Sequence, residues 1–202
     1  MSGPFAPVLP LLRTTLGDPR AGARGLLALG LPVEARWLAA GTVVVLSLLM
    51  SQLLLLAAPA DPSNPVETMM RSPLAAATTQ GLLILGLAFG MSVVAGWFGG
   101  TARFADGLLL AAWLEFVLLV VQLGLVAVLL VLPALSLVAG ILSVGLFFWY
   151  LTAFTAEANG FRSAGRTLAG VVAGLFAGAF LMVLILSVLG LVPELPEVPA
   201  GV

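Results

Sequence analysis

The sequence predicts an all-α polytopic membrane protein, and three observations support this fold class. Hydrophobic residues make up 61% of the 202 residues, charged residues only 8%, and the mean hydropathy is +1.21. Five stretches are apolar over the ~20 residues that a helix needs to cross a ~30 Å hydrocarbon core. Seven of the eight arginines lie in the N-terminal segment or in alternate connections between these stretches. Composition, segment length and charge placement are those of a membrane protein and not of a soluble domain.

The N-terminal segment 1–36 is predicted to form two short helices at the membrane interface. Apolar residues recur at roughly helical spacing over 5–16. Asp18 and Pro19 are then typical of an N-cap followed by proline at the first helical position. The second helix would run to about Leu31, with arginines on one face and leucines on the other. Such amphipathic segments suit the interface between lipid and water.

Five transmembrane helices follow, which together form the predicted domain 37–192. The third and fourth are separated by little more than Pro133, which predicts a tight hairpin because proline cannot continue a helix. The tail 193–202 carries two glutamates and no base. The predicted spans are 37–58, 74–99, 107–132, 134–156 and 167–192.

Arginine placement predicts the orientation. If the N-terminus is cytoplasmic, the outside segments hold only Arg71. This is a positive-inside bias, and it places the tail outside the cytoplasm. Many alanines and glycines and no lysine indicate a high-GC bacterial genome, so we expect a bacterial inner membrane with a periplasmic C-terminus. The cytoplasmic segments hold the other seven arginines, Arg13, Arg20, Arg24, Arg36, Arg103, Arg162 and Arg166.

Several of these charges are expected at the cytoplasmic interface. Arg103 lies between the second and third spans, and Glu157, Arg162 and Arg166 lie between the fourth and fifth. Glu157 is expected to pair with a nearby arginine there, with a small net effect on stability.

Gly170, Gly174 and Gly178 are spaced four residues apart in the last span. Small residues at this period lie along one side of a helix and let two backbones approach closely in lipid, where no hydrophobic effect draws helices together. The sequence therefore predicts that this helix lies at the centre of the bundle, with others packed on its glycine face.

Glu115 lies well inside the third predicted span, about 12 Å from its cytoplasmic end. A charged carboxylate at this depth is costly, and such residues usually face the bundle interior. We expect it to be protonated and hydrogen-bonded to a hydroxyl or a backbone carbonyl. Two roles stay open: a clamp that holds the first three spans together, or a proton or substrate site.

Three glutamines are predicted to form one hydrogen-bonded layer in the outer leaflet. Gln52 and Gln80 are then roughly 9 Å deep and Gln122 about 15 Å deep. Hydrogen bonds between such side chains contribute about 0.6–2 kcal/mol each in membranes.

The composition argues against most intramembrane chemistry. The chain has no cysteine and no histidine, which removes thiol nucleophiles, histidine bases and the usual zinc ligands. An aspartyl-type dyad needs a second facing acid. We therefore expect no enzyme activity, no metal and no cofactor. The net charge of −1 indicates no nucleic-acid partner.

The pattern resembles the Yip1 domain family of five-span membrane proteins, in its bacterial branch. The resemblance rests on three stretches: TLGDPRAGARGLLAL at 15–29, FGGTARFADGLLLAAWLEF at 98–116 and FTAEANGFRSAGRTLAG at 154–170. It implies a five-helix domain with a cytoplasmic N-terminus and no catalytic residues. Eukaryotic members are associated with Rab GTPases and vesicle traffic, but the bacterial branch has no settled role, so that association does not transfer.

Two functions remain open from the sequence. The first is a non-enzymatic membrane protein that binds a membrane protein partner or a second copy of itself, or that organises the surrounding lipid bilayer. The alternative is a small oligomeric permease or channel in which Glu115 and the glutamine layer form a polar path. A dry, close-packed bundle would favour the first, and a water-filled cavity that reaches Glu115 would favour the second.

Overall fold

The computed structural model describes residues 7–57 and 71–188, and this part of the chain is all-helical without a β-strand. The predicted tail 193–202 and most of the connection between the first two spans lie outside the described residues. The helices are α1 (Val8–Gly17), α2 (Pro19–Ala28), α3 (Val33–Ala57), α4 (Pro73–Phe89), α5 (Phe104–Val131), α6 (Ser136–Asn159) and α7 (Ala164–Val188).

Within the described residues, four helical segments are long and apolar enough to cross a membrane. They are α3, α5, α6 with the turn before it, and α4 together with its continuation to Trp97. α7 is 25 residues long and is apolar over Ala164–Phe180. The predicted spans overlap these helices, although α3 begins four residues earlier than predicted.

Local sequence explains where several helices begin and end. Asp18 caps α2 as predicted, because its side chain accepts a hydrogen bond from the Ala21 N–H at 3.0 Å. A short 3₁₀ turn, Pro133–Leu135, joins α5 to α6, and the two helices pack on each other. The predicted hairpin at Pro133 is therefore confirmed. α6 ends at Asn159 and is followed by Gly160, whose φ of +70° lies in the left-handed region that favours glycine.

α5 is the central helix of the described bundle. It packs against α3, α4 and α6, and its first half also contacts the α1–α2 hairpin. Two buried clusters meet on it: one includes Leu110 and Leu114 with α2 and α6, and the other includes Leu108 and Ala111 with α3 and α4. The core is therefore built around the third predicted span.

The prediction that the last span is central is wrong for the described residues. α7 packs mainly on α6 and on the end of α4, at the edge of the bundle. Within 4 Å, a methyl group at Gly170 or Gly178 would meet nothing, and one at Gly174 would meet only the Val94 side chain at 3.6 Å. Small residues permit close approach but do not cause it, since a neighbouring helix must also present its backbone there.

The α1–α2 hairpin, which was predicted to lie at the membrane interface, packs partly on other helices of the protein. Ala23 and Leu26 of α2 are buried in the core beside Phe154 of α6 and Leu110 of α5. The hairpin is thus part of the bundle and lies beside the last turns of α6.

Packing is uneven along the bundle. α5 is buried over residues 107–112 and α6 over residues 150–156, whereas the α5–α6 hairpin is mostly exposed near Pro133. The well-packed end is where α3, α5 and α7 begin and where α4 and α6 end. We call it the arginine-rich end, because the segments there carry seven of the eight arginines.

Candidate functional site

Glu115 accepts hydrogen bonds from two other helices. Its Oε1 accepts one from Gln80 Nε2 of α4 at 2.6 Å and one from Ser47 Oγ of α3 at 3.4 Å. Ser47 is buried, and Glu115 and Gln80 are half-buried. The expected hydroxyl partner is present, but the shorter bond comes from an amide. We call these three residues the Glu115 cluster.

The three predicted glutamines do not form one layer. Gln80 bonds to Glu115, whereas Gln122 is exposed on the C-terminal half of α5. Gln52 is half-buried on α3, five residues beyond Ser47. The prediction is therefore wrong for Gln122. Depth along a helix does not determine contact: neighbouring helices bury Leu119, one turn earlier, but leave Gln122 uncovered.

Replacing Gln80 with leucine is expected to lower the free energy of unfolding by about 0.6–2 kcal/mol, the range for interhelical hydrogen bonds in membranes. Gln122→Leu removes the same chemical group from an exposed site and is expected to be neutral. The measurement is unfolding of both variants by a denaturing detergent. Equal effects of the two substitutions would contradict a clamping role for the Glu115 cluster.

Two ion pairs join separate elements at the arginine-rich end. Arg24 Nε of α2 lies 2.7 Å from Glu157 Oε1 of α6, and Arg36 of α3 pairs with Asp106 of α5. The hydrogen bond and the charge of Glu157 raise the pKa of Arg24 further above its ordinary value. Glu157 therefore does form an ion pair, but with an arginine of the N-terminal hairpin.

The other predicted interface residues surround the turn between α6 and α7. Arg162 and Arg166 are exposed there. Arg103 is also exposed and immediately precedes α5, where its backbone N–H donates to Asp106 Oδ2 at 3.3 Å.

Asn159 is a buried connection between three segments. Its Nδ2 donates to the carbonyl oxygens of Met91 and Thr155 at 2.8 and 2.9 Å. Its Oδ1 accepts from the Ala102 N–H at 3.2 Å. The side chain thereby holds the end of α6, the end of α4 and the connection before α5 together.

A π-helical turn directly after α4, in its continuation to Trp97, supplies one of these acceptors. Over Gly90–Val94 the helix widens, and the Ala95 N–H bonds to the carbonyls of Gly90 and Ser92 instead of Met91. The carbonyl that this N–H would meet in a regular α-helix is the one that accepts from Asn159. π-turns occur often at functional sites, and this one makes a backbone acceptor available to a side chain.

The N-terminal hairpin is anchored at a second polar point. Trp113 Nε1 of α5 donates to the fully buried Thr15 Oγ1 at 3.0 Å, and that hydroxyl donates to the Leu11 carbonyl. Gly22 of α2 lies against Thr15, because a methyl group at Gly22 would come within 2.2 Å of its Oγ1. The contact between Thr15 and Trp113 lies about 14 Å along α5 from Phe104, the first residue of that helix.

Sequence reasoning missed both anchoring points. In the sequence, Asn159 precedes Gly160, and this pair indicates only a turn. Nothing in the periodicity of the segment around 90–94 predicted the π-turn. Thr15 and Trp113 are 98 residues apart, so only the packing of α1 on α5 brings them together.

Comparison of the chain with protein-family models, with curated proteins and with solved structures finds no match. The chemistry that can be assigned therefore rests on the residues themselves. The Glu115 cluster can hold a proton, or it can hold α3, α4 and α5 together. The arginine-rich end can bind anions.

Proposed function

We propose that this is a non-enzymatic integral membrane protein that binds a membrane protein partner or organises the lipid around it. The observation that supports the proposal most directly is the hydrogen bonding of the Glu115 side chain. Its hydrogen bonds from Gln80 and Ser47 tie three helices together, as expected for a structural clamp. A carboxyl that is hydrogen-bonded in this way stabilises the bundle. The surface of the bundle then remains available for binding.

The proposed topology has five spans, with α7 as the fifth, and a cytoplasmic N-terminus in a bacterial inner membrane. The length of α7 and the position of seven arginines at one end of the bundle support this arrangement. The proposed family is the bacterial branch of the Yip1 domain proteins, on the stretches 15–29, 98–116 and 154–170.

α1 offers the surface that we propose for a protein partner. Leu9 and Leu16 lie on one stripe of this helix and are exposed, although the opposite side packs on α2 and α5. The hairpin is held by Arg24–Glu157 and by Trp113, so the exposed stripe keeps a fixed orientation. A pre-organised surface loses little entropy on binding.

The test is a quantitative pull-down in mild detergent followed by mass spectrometry. Leu9→Ser/Leu16→Ser is expected to lower the recovery of a specific co-purifying membrane protein at least tenfold. Leu74→Ser, which changes a more exposed leucine at the opposite end of the bundle, should leave recovery unchanged. Unchanged recovery with the α1 variant would overturn the choice of α1, and the absence of any reproducible partner would overturn partner binding.

The Glu115 cluster also favours a second candidate, a small oligomeric permease or channel. A carboxyl inside a span is commonly part of a proton or ion path. For this function, Glu115→Gln should abolish flux in proteoliposomes while the protein stays folded. If Glu115 is a structural clamp, as we propose, flux should be at the level of empty vesicles for both the native protein and Glu115→Gln. The substitution should then mainly change the free energy of unfolding.

A further inference from the structure

Several arginines from separate parts of the chain converge at the turn between α6 and α7. Arg20 of α2 reaches this turn, since its Nη2 donates to the Phe161 carbonyl at 3.4 Å. Arg103 is brought near it, because the preceding residue, Ala102, is hydrogen-bonded to Asn159. We call the group the arginine turn, and it consists of Arg20, Arg103, Arg162 and Arg166.

The positive charge of the arginine turn is largely uncompensated. The segments 97–105 and 158–188 contain no acidic residue. The nearby acids Glu157 and Asp106 are paired with Arg24 and Arg36. Asp18, two residues before Arg20, caps α2 through the Ala21 N–H. An anion at this turn would therefore meet several guanidinium groups and few competing carboxylates.

Exposed aromatic rings lie beside this charge. Trp97 is the last residue of the continuation of α4, and Phe98 follows it. They are 76% and 66% exposed and precede the connection that carries Arg103. Trp37 and Phe104 are also exposed at this end, with ring centroids 6.5 Å apart. Aromatic rings and arginines at the ends of apolar helices are typical of the headgroup level of a bilayer.

We propose that the arginine turn binds the phosphate of an anionic phospholipid. Charge complementarity selects an anion, and guanidinium groups bind phosphate oxygens through paired N–H donors. The exposed rings and the apolar helices favour a lipid over a soluble phosphate, because they place the charge where headgroups lie. This inference rests on the proposed function, which it deepens by naming the lipid class that the protein would organise.

The fold keeps the arginine turn assembled without the lipid. Asn159 holds the Arg103 connection against the end of α6, and Ser163 caps the first turn of α7 by accepting from the Arg166 N–H at 3.3 Å. The backbone that carries these arginines is therefore in place before binding, which lowers the entropic cost of capturing a headgroup.

The test uses the purified full-length protein in mild detergent, with native mass spectrometry to count bound lipids. Phosphatidylglycerol and phosphatidylcholine with the same acyl chains are titrated separately. Phosphatidylglycerol should bind more tightly to the native protein. Arg162→Gln should weaken phosphatidylglycerol binding about fivefold, and Arg162→Gln/Arg166→Gln should weaken it about 25-fold. The reason is that a basic residue near an anionic surface contributes about a factor of five in affinity.

The matched control is Arg13→Gln, which removes one exposed charge from α1 and should change the affinity less than twofold. Equal weakening by Arg13→Gln and Arg162→Gln would overturn the site, since overall charge would then explain binding. Equal binding of the two lipids would also overturn it. Displacement of phosphatidylglycerol by millimolar inorganic phosphate would overturn the choice of a lipid. Partner recovery in the pull-down tests the proposed function separately.

Discussion

Replacing Asn159 with leucine is expected to destabilise the protein by about 2–5 kcal/mol. The substitution leaves the Met91 carbonyl and the Ala102 N–H without their hydrogen-bond partner. Each buried backbone group left unpaired costs about 1–3 kcal/mol. The measurement is the free energy of unfolding in a denaturing-detergent titration, followed by helical circular dichroism.

Thr155→Val is the matched control, one turn earlier on α6. The Thr155 hydroxyl donates only to the Leu151 carbonyl of its own helix, so its loss should cost less than about 1 kcal/mol. Asn159→Asp adds a second comparison, because a carboxylate can accept from Ala102 but cannot donate to Met91. We expect it to be nearly as damaging as leucine. If both Asn159 variants matched Thr155→Val, the connection at Asn159 would have no importance for stability.

Gly107→Ala is expected to destabilise the bundle by about 1–3 kcal/mol, the usual cost of overpacking a buried site. A methyl group at Gly107 would lie 2.6 Å from the Ala88 carbonyl oxygen, so α4 and α5 would have to separate. That oxygen already accepts a hydrogen bond from Ser92 at 2.6 Å, within the π-turn region. Because backbone lies on both sides of this contact, no side-chain rotation relieves the overlap.

Gly124→Ala on the same helix is the control for helix propensity. A methyl group there meets nothing within 4 Å, so the change should be neutral or stabilising by up to about 1 kcal/mol. Gly170→Ala and Gly178→Ala should behave in the same way. If Gly170→Ala were the most damaging of the four in a monomeric preparation, α7 would pack on the bundle more closely than the structure indicates.

The contrast among these glycines shows how far sequence reasoning reaches. Regular spacing drew attention to Gly170, Gly174 and Gly178. Among the glycines of the described spans, however, only at the isolated Gly107 would an added methyl group come within 3.0 Å of the backbone of another span. A four-residue period describes one helix, whereas close packing depends on the crossing of two. Nothing in the sequence around Gly107 names Ala88 as its neighbour.

For the polar residues too, the sequence predicts that partners are needed, and the tertiary structure decides which partners they are. An acid at the depth of Glu115 must find hydrogen-bond partners, so a hydroxyl from another span could be expected. That Gln80 supplies the shorter bond while Gln122 stays exposed depends on the rotation of α4 and α5 about their axes. Likewise, Glu157 required a basic partner, but the folding of the N-terminal hairpin onto α6 decided that it is Arg24.

The sequence by itself determined the membrane class, the approximate bounds of the helices, the N-cap at Asp18 and the hairpin at Pro133. These depend on composition, on length and on backbone chemistry that acts within a few residues. The tertiary structure alone decided that α5 is central, that α7 lies at the edge and that Asn159 joins three segments. The physical reason is that lipid and protein satisfy an apolar helix surface about equally well, so hydrophobicity does not specify which helix faces which.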